Sequence, residues 1–211
     1  MHGIARFCSY FVYRAFEFYP YFVYSVDMEN AIRRKILDFL AKWRSSENHL
    51  PLIIRGARQI GKTYSVRQFG ENYKSFVEIN FVDSPQYKDI FSRGYSTDEV
   101  IKRISFHNPK FKFIPKETLI FFDEIQAYPD VRTAIKFLVE DGRFDYIESG
   151  SLLGIKMNDI VSFPVGFEET YRMYPMDFEE FLWANGVQES TIKHLENCFN
   201  TLTPVSSSIH N

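Results

Sequence analysis

The stretch that decides the fold lies at residues 56–63, which read Gly56-Ala57-Arg58-Gln59-Ile60-Gly61-Lys62-Thr63. This run fits the phosphate-loop pattern G-x-x-x-x-G-K-[ST] at every fixed position. In that pattern the glycines let several backbone N–H groups converge on an anion, and the lysine adds a positive charge on the β- and γ-phosphates. The threonine hydroxyl is placed to ligate Mg²⁺. We therefore predict that ATP is bound by Gly56, Ala57, Arg58, Gln59, Ile60, Gly61, Lys62, Thr63 and Tyr64.

The residues on either side of this loop support the prediction. Ahead of it, residues 51–54 form a short apolar run that is typical of a buried parallel strand. Behind it, Val66 and Phe69 stand at helical spacing before Gly70, which favours a helix end there. The alternative is a glycine-rich turn with an unrelated lysine. That alternative does not explain the order of strand, loop and helix.

Composition narrows the class of protein. The chain has 211 residues with 45% hydrophobic and 25% charged content, which is ordinary for one sizeable globular domain. A net charge of −2 provides no general attraction for nucleic acid or anionic membrane, so a nucleic-acid partner is unproven. The two cysteines, Cys8 and Cys198, lie far apart and favour free thiols in a reducing cytoplasm over a disulfide. The sequence contains no run of 18 apolar residues, so it predicts no transmembrane helix.

Apolar patterning predicts strands that alternate with helices. The predicted strands are residues 51–54, 76–81, 118–122, 144–147 and 170–173. The predicted helices are residues 28–46, 63–69, 85–106 with a break at Gly94, 131–139 and 178–184. This alternation predicts an α/β fold in which a mostly parallel sheet is covered on both faces.

Two acids follow the third predicted strand. Asp123 and Glu124 come directly after an apolar run, which places both carboxylates at the carboxyl edge of the sheet, beside the phosphate loop. There, Asp123 would join Thr63 in holding Mg²⁺, and Glu124 would orient and polarise the attacking water. The alternative is that the two acids simply begin a solvated loop. Their position after the phosphate-loop strand and a second strand favours the catalytic interpretation.

Several other polar residues stand near strand ends. Ser149 and Ser151 follow the fourth predicted strand; either could sense the γ-phosphate, with Ser151 preferred, or could simply make a tight turn. Gln126 could steady the carboxylate of Glu124 or cap the coming helix. The predicted catalytic residues are thus Lys62, Glu124 and Ser151. Four arginines could each meet a phosphate but are more often surface or ion-pair residues: Arg58, Arg132, Arg143 and Arg172.

Four blocks in this order carry a resemblance to a known family. They are Arg55 to Thr63, Leu119 to Gln126, Ser149 to Gly154, and Phe163 to Gly166 with Tyr174 to Leu182. The chain resembles the prokaryotic AAA-type ATPases of the AAA+ superfamily, in which an N-terminal ATPase core precedes a C-terminal restriction-nuclease-like domain. The resemblance implies a three-layer AAA+-like P-loop NTPase core with a five-stranded sheet in the order 5-1-4-3-2. It puts Lys62, Thr63, Asp123 and Glu124 at the family's motif positions.

The resemblance also suggests how the chain is divided. Residues 28–186 match the ATPase core, and residues 187–211 match a truncated C-terminal segment, so we expect a truncated gene product or a domain fragment. Residues 1–27 are an aromatic-rich extension outside the resemblance. They could form a β-hairpin or a membrane-surface segment, but an upstream extension with Met28 as an alternative start is favoured. Phe167 stands where such proteins commonly carry a basic residue.

These observations lead to two hypotheses of function. The first is an ATP-binding protein that hydrolyses ATP with Mg²⁺ and can self-associate through its ATPase core. The second is a nucleotide-gated switch or adaptor that binds ATP with little or no turnover, which Phe167 favours. A GTPase is disfavoured because the sequence has no Asn-Lys-x-Asp motif that would read guanine.

Overall fold

The computed structural model describes residues 32–151 and 166–205. The expectations for residues 1–27, 152–154 and 163–165 lie outside this part. The elements below all belong to one compact unit, Arg33–Asn211.

Five parallel strands form the sheet. They are β1 (Leu52–Gly56), β2 (Ser75–Asn80), β3 (Thr118–Asp123), β4 (Asp145–Ser151) and β5 (Glu169–Arg172). The strands lie in the order β2-β3-β4-β1-β5, and every neighbouring pair is parallel. Read from the other edge, this is 5-1-4-3-2, so the predicted fold class and strand order are confirmed.

Six α-helices accompany the sheet in the described residues. They are α1 (Lys35–Ser45), α2 (Lys62–Gly70), α3 (Thr97–His107), α4 (Asp130–Asp141), α5 (Phe178–Ala184) and α6 (Glu189–Thr201). Short 3-10 turns cover Pro85–Asp89 and Ile125–Ala127.

The sheet is buried on both faces. One face packs against α1 and α2 in a cluster that includes Leu40, Val66 and Phe121. The other face packs against α3 and α4 in a cluster that includes Ile104 and Phe122. Every residue of β3 is buried because this strand has a helix layer on each side. The result is a three-layer α/β core.

The structure corrects two predicted elements and adds one. The first described helix begins at Lys35, and Arg34 before it is extended at φ −130° and ψ 142°, so the predicted helix is wrong at residues 32–34, whereas its residues 28–31 lie outside the described part. Strand β4 runs to Ser151, so Ser149 lies within a strand and not in a turn. Helix α6 was not predicted.

Candidate nucleotide-binding site

The phosphate loop joins the end of β1 to the start of α2, as the strand-loop-helix order predicts. Two of its residues have a left-handed backbone, Gln59 at φ 61° and Gly61 at φ 92°. A side chain at Gly56 would bring its Cβ within 2.5 Å of the Met173 carbonyl oxygen and of the Ile60 side chain. Glycine at position 56 is therefore required by close packing, and glycine at 61 by the backbone turn.

Lys62 is folded back across the loop. Its Nζ donates to the carbonyl of Ala57 at 2.7 Å and to that of Gly56 at 3.3 Å, and the residue is 7% exposed. Burial lowers the pKa of Lys62, although the carboxylates of Glu124 and Asp123 act in the opposite direction. The positive charge thus lies inside the loop, within reach of an anion that the loop would hold.

Asp123 is the buried acid of the site, with only 1% of its surface exposed. Its carboxylate accepts hydrogen bonds from the Thr63 hydroxyl at 2.8 Å, the Ser149 hydroxyl, and the backbone N–H of Glu124 at 3.0 Å. The side-chain amide of Asn80 donates a longer one at 3.4 Å. Burial raises the pKa of Asp123, and these donors offset only part of that effect. The helix that follows the phosphate loop, α2, and the strand that ends in the acidic pair, β3, therefore meet at this carboxylate.

Glu124 has an unusual backbone. It is left-handed at φ 54° and ψ 44°, and its carboxylate accepts a hydrogen bond from the side-chain amide of Gln126. Gln126 lies against β4: a Cβ at Gly150 would come within 2.9 Å of its Oε1. The contact between Gln126 and Glu124, one of the two roles considered for Gln126, is present. A left-handed backbone at a residue other than glycine costs energy. Such strained conformations are common at functional sites, where they fix the orientation of a side chain.

The two serines of β4 differ in their contacts. Ser149 donates to Asp123, whereas the hydroxyl of Ser151 is buried and has no hydrogen-bond partner among the described residues. Ser151 pairs in register with Gly56, which places it beside the start of the phosphate loop. A buried hydroxyl without a partner in this place would be able to donate a hydrogen bond to an acceptor that the loop binds.

The other predicted residues of the loop are more open to solvent. Ala57, Arg58 and Gln59 are exposed, Ile60 is half-buried, and Tyr64 is 42% exposed. The structure thus brings Lys62, Thr63, Asp123 and Glu124 together at the carboxyl edge of the sheet. No cluster of three His, Cys, Asp or Glu side chains suited to a metal occurs in residues 32–151 and 166–205. A cation here would rely on Asp123, Thr63 and oxygens from a ligand.

Two of the four arginines considered as phosphate ligands form ion pairs instead. Arg132 pairs with Glu148 and Glu168, and Arg143 pairs with Asp98 and Asp141. Both follow the commoner role of an arginine.

Sequence reasoning missed three charged residues near the site: Arg34, Glu148 and Glu168. Arg34 donates to the carbonyl of Ile60 within the phosphate loop. No local pattern marks it, because a lone arginine ahead of a helix usually faces solvent. Glu148 and Glu168 carry no signal of their own, because their partner Arg132 comes from a different element.

Comparison with known proteins identifies the family. The AAA domain family matches residues 48–182, which is more than half of the chain. The chain belongs to the AAA domain family, whose general activity is ATP binding and hydrolysis. A search among curated proteins gave no match.

Three solved structures show a distant similarity. The Walker-type ATPase PABY2304 of Pyrococcus abyssi is 13% identical over 86% of this chain and 62% of that chain, with a TM-score of 0.47. The ORC1 protein of Aeropyrum pernix, in complex with DNA, is 16% identical over 72% of this chain and 47% of that chain, with a TM-score of 0.44. PCH-2 of C. elegans is 14% identical over 72% of this chain and 46% of that chain, with a TM-score of 0.39. The chain therefore spans 46 to 62% of the length of these three proteins.

No helix in the described part of the chain is long and apolar enough to cross a membrane.

Proposed function

We propose that this AAA-domain protein binds ATP together with Mg²⁺ at the carboxyl edge of its sheet and hydrolyses it to ADP and phosphate. One observation carries the proposal: the hydroxyl of Thr63 lies 2.8 Å from the buried carboxylate of Asp123. It joins the two sequence motifs in one place, at an acid that has no lysine or arginine ion-pair partner in the described residues.

The donor set fits Mg²⁺. This ion prefers oxygen ligands and keeps several waters, so one carboxylate and one hydroxyl beside a triphosphate are a suitable set. In this proposal Thr63 and Asp123 hold the ion, which would neutralise charge on the β- and γ-phosphates. Because burial raises the pKa of Asp123, a bound cation would compete with a proton for this carboxylate and would favour its ionised form.

The phosphates would be bound by residues 56–64. Lys62 now donates to two carbonyls of its own loop and would exchange these bonds for phosphate oxygens. The N-terminus of α2 lies at Lys62, so free N–H groups and the helix dipole favour an anion there. Both contributions are electrostatic and need no movement of the sheet.

Glu124 is proposed to align the attacking water. Its left-handed backbone and the hydrogen bond from Gln126 hold the carboxylate in one direction. A carboxylate in that position accepts a proton from water while the phosphoryl group is transferred. Ser151 is proposed as the γ-phosphate sensor because its buried hydroxyl lacks a partner among the described residues.

A second candidate function rests on Phe167. This half-buried side chain follows Gly166 and supplies no positive charge where similar ATPases commonly carry a basic residue. A cation that stabilises the transferred phosphoryl group can change the rate by several orders of magnitude. The chain would then bind ATP as a nucleotide-gated switch or adaptor with little turnover.

The larger context is also a proposal. We infer that residues 28–186 form the ATPase core and that the chain is related to the ATPases in which a nuclease-like domain follows this core. The order of the four sequence blocks supports this relation. Self-association through the core is proposed on the same ground.

An ATP titration with and without Mg²⁺, followed by a turnover assay on the same sample, tests the proposal. Binding that strengthens with Mg²⁺ is expected from the Thr63–Asp123 contact. Asp123→Asn should weaken this Mg²⁺ dependence, and Glu124→Gln should retain binding but abolish turnover. Equal turnover by Glu124→Gln and the parent would refute the role of Glu124. A folded chain that does not bind ATP would refute the whole proposal.

A turnover measurement separates the two candidate functions. Ordinary enzymes turn over at about 1 s⁻¹ or faster. ATP binding with a turnover rate well below that value would favour the switch. A rate within that range would favour the ATPase and refute the impairment attributed to Phe167.

A further inference from the structure

Arg34 is a buried arginine that the proposed chemistry does not use. It lies directly ahead of α1, and only 5% of its surface is exposed. A guanidinium carries five N–H donors and cannot lose its charge, so burial is tolerated only when acceptors surround it. The partners of Arg34 therefore indicate why it is there.

The first partner is the phosphate loop. Nη1 of Arg34 donates to the carbonyl oxygen of Ile60 at 2.8 Å. The next residue, Gly61, packs against the same atom: a Cβ added at Gly61 would lie 3.2 Å from Nη1. The guanidinium thus contacts the loop at the peptide just ahead of Lys62.

This contact sets the direction of one backbone N–H. A trans peptide is planar, so its C=O and N–H point in opposite directions. Because the Ile60 carbonyl is held by Arg34, the N–H of Gly61 in the same peptide points away from Arg34. A loop that binds an anion needs its N–H groups on one side and its carbonyls on the other.

The remaining partners belong to the C-terminal part of the core. Nη2 of Arg34 donates to the carbonyl of Tyr174 at 2.9 Å, and Nε lies 3.1 Å from Oε1 of Glu180 in an ion pair. Glu180 also forms a capping box with Asp177 at the start of α5. Its Oε2 accepts a hydrogen bond from the backbone N–H of Asp177, and the Asp177 side chain accepts one from the backbone N–H of Glu180. The backbone N–H of Lys35 donates to Oε1 of Glu180 at 2.7 Å.

One guanidinium therefore connects the phosphate loop to the start of α5, which in turn packs against α6. We propose that Arg34 is a positioning residue that sets the Ile60–Gly61 peptide for phosphate binding and couples nucleotide binding to the helix pair α5–α6. The inference rests on the proposed function, since it assigns a role towards the same nucleotide. Coupling of this kind is reciprocal: a nucleotide that fixes the loop also steadies α5, and loosening α5 weakens nucleotide binding.

The test compares Arg34→Gln and Arg34→Lys with the wild-type chain. Arg67→Gln is the matched control, because Arg67 lies on α2, next to the loop, and forms an exposed pair with Glu78. Two quantities are measured for each variant: the Kd of ATP with Mg²⁺, and the hydrogen exchange of residues 177–184 with and without ATP.

In the wild-type chain ATP should slow hydrogen exchange in residues 177–184. Arg34→Gln should raise the Kd about tenfold, within the usual range for coupled sites, and remove this ATP-induced protection. Arg34→Lys keeps the positive charge, but one ammonium replaces the three guanidinium nitrogens that separately meet Ile60, Tyr174 and Glu180, so it should be intermediate. Arg67→Gln should match the wild-type chain in both quantities.

Glu180→Gln is the second variant, and it decides the question if Arg34→Gln does not fold. It leaves Arg34 and the Ile60 contact in place but removes the charge that ties Arg34 to α5. The ATP-induced protection of residues 177–184 should fall while the Kd changes less than in Arg34→Gln.

Different results refute the inference and the proposed function. If the wild-type chain binds ATP, an unchanged Kd and unchanged protection in folded Arg34→Gln would overturn the inference alone. Full protection in Glu180→Gln would overturn the coupling to α5. If the folded wild-type chain does not bind ATP, the proposed function fails and the inference fails with it.

Discussion

Two buried acidic clusters lie on opposite faces of the sheet at β4 and differ in how their negative charge is balanced. We call the first the Asp123 cluster: Asp123, Thr63, Ser149 and Asn80. We call the second the Arg132 cluster: Arg132, Glu148 and Glu168. Ser149 and Glu148 are consecutive in a strand, so their side chains point to opposite faces of the sheet.

The Arg132 cluster contains its own cation. Arg132 is 2% exposed and donates to Glu148 at 2.7 Å and to both carboxylate oxygens of Glu168. In the Asp123 cluster all the donors are neutral: two hydroxyls, one amide and one backbone N–H. The Arg132 cluster joins α4, β4 and the residue before β5, and its charges are paired with one another. The Asp123 cluster has no ion-paired cation in the described residues, although the charge of Lys62 acts on Asp123 without forming an ion pair, and Asp123 is the acid proposed above to hold Mg²⁺.

The largest effect is expected when the cation of the Arg132 cluster is removed. Arg132→Met would leave Glu148 buried without its ion-pair partner and Glu168 with only Arg55, 3.8 Å away, and removing one partner of a buried pair costs about 3–5 kcal/mol. The free energy of unfolding from urea denaturation should fall by that amount. The control is Arg143→Met at a partly exposed pair, where about 1 kcal/mol or less is expected. A loss in Arg132→Met no larger than that of the control would show that this cluster is not a structural unit.

A second change acts on the other face of the sheet and should spare stability. Lys62→Ala removes the charge that would meet the phosphates, and we expect ATP affinity to fall by about 2 kcal/mol, or roughly thirtyfold. Titration calorimetry measures the affinity, and urea denaturation checks that the fold is retained. Lys74→Ala, at an exposed pair with Glu117, is the control with unchanged affinity. Unchanged affinity in folded Lys62→Ala would contradict the assignment of residues 56–64 to phosphate binding.

The last expected effect is a gradual dependence of stability on pH. Burial raises the pKa of Glu148 to about 7, above its ordinary value of 4.5, even though Arg132 acts in the opposite direction. Between these values the folded chain keeps a proton that the unfolded chain has lost. This group therefore makes the free energy of unfolding fall as pH rises, by at most about 1.4 kcal/mol per unit, and its effect levels off above about pH 7.

The difference between the wild-type chain and Glu148→Gln isolates this contribution, because acids with lowered pKa values such as Asp145 and Asp141 act in the opposite direction. Urea denaturation at pH 5, 6 and 7 measures it. Parallel pH curves for the two chains would show that Glu148 stays ionised throughout.

The two clusters also show what the sequence could and could not predict. The phosphate loop, the acidic pair and the alternation of strands with helices follow from local motifs and apolar runs. The strand order, which the sheet has as predicted, was implied by the family resemblance. The roles assigned to Lys62, Glu124 and Ser151 stay predictions, as does the cytoplasmic location. The Arg132 cluster depends on side chains from three elements whose approach no local pattern records. Helix α6 was missed because residues 187–201 were interpreted as a truncated segment.

The position of β1 in the sheet has a consequence for synthesis of the chain. Leu52 of β1 pairs with Ile147 of β4 on one side and with Glu169 of β5 on the other. Both partner strands are made long after β1, so the strand ahead of the phosphate loop has no sheet neighbour until most of the core has left the ribosome. Such distant pairing slows folding and leaves apolar strands exposed meanwhile. A nascent chain therefore acquires its phosphate loop late, and the buried apolar residues of the strand Leu52–Gly56 stay exposed until then.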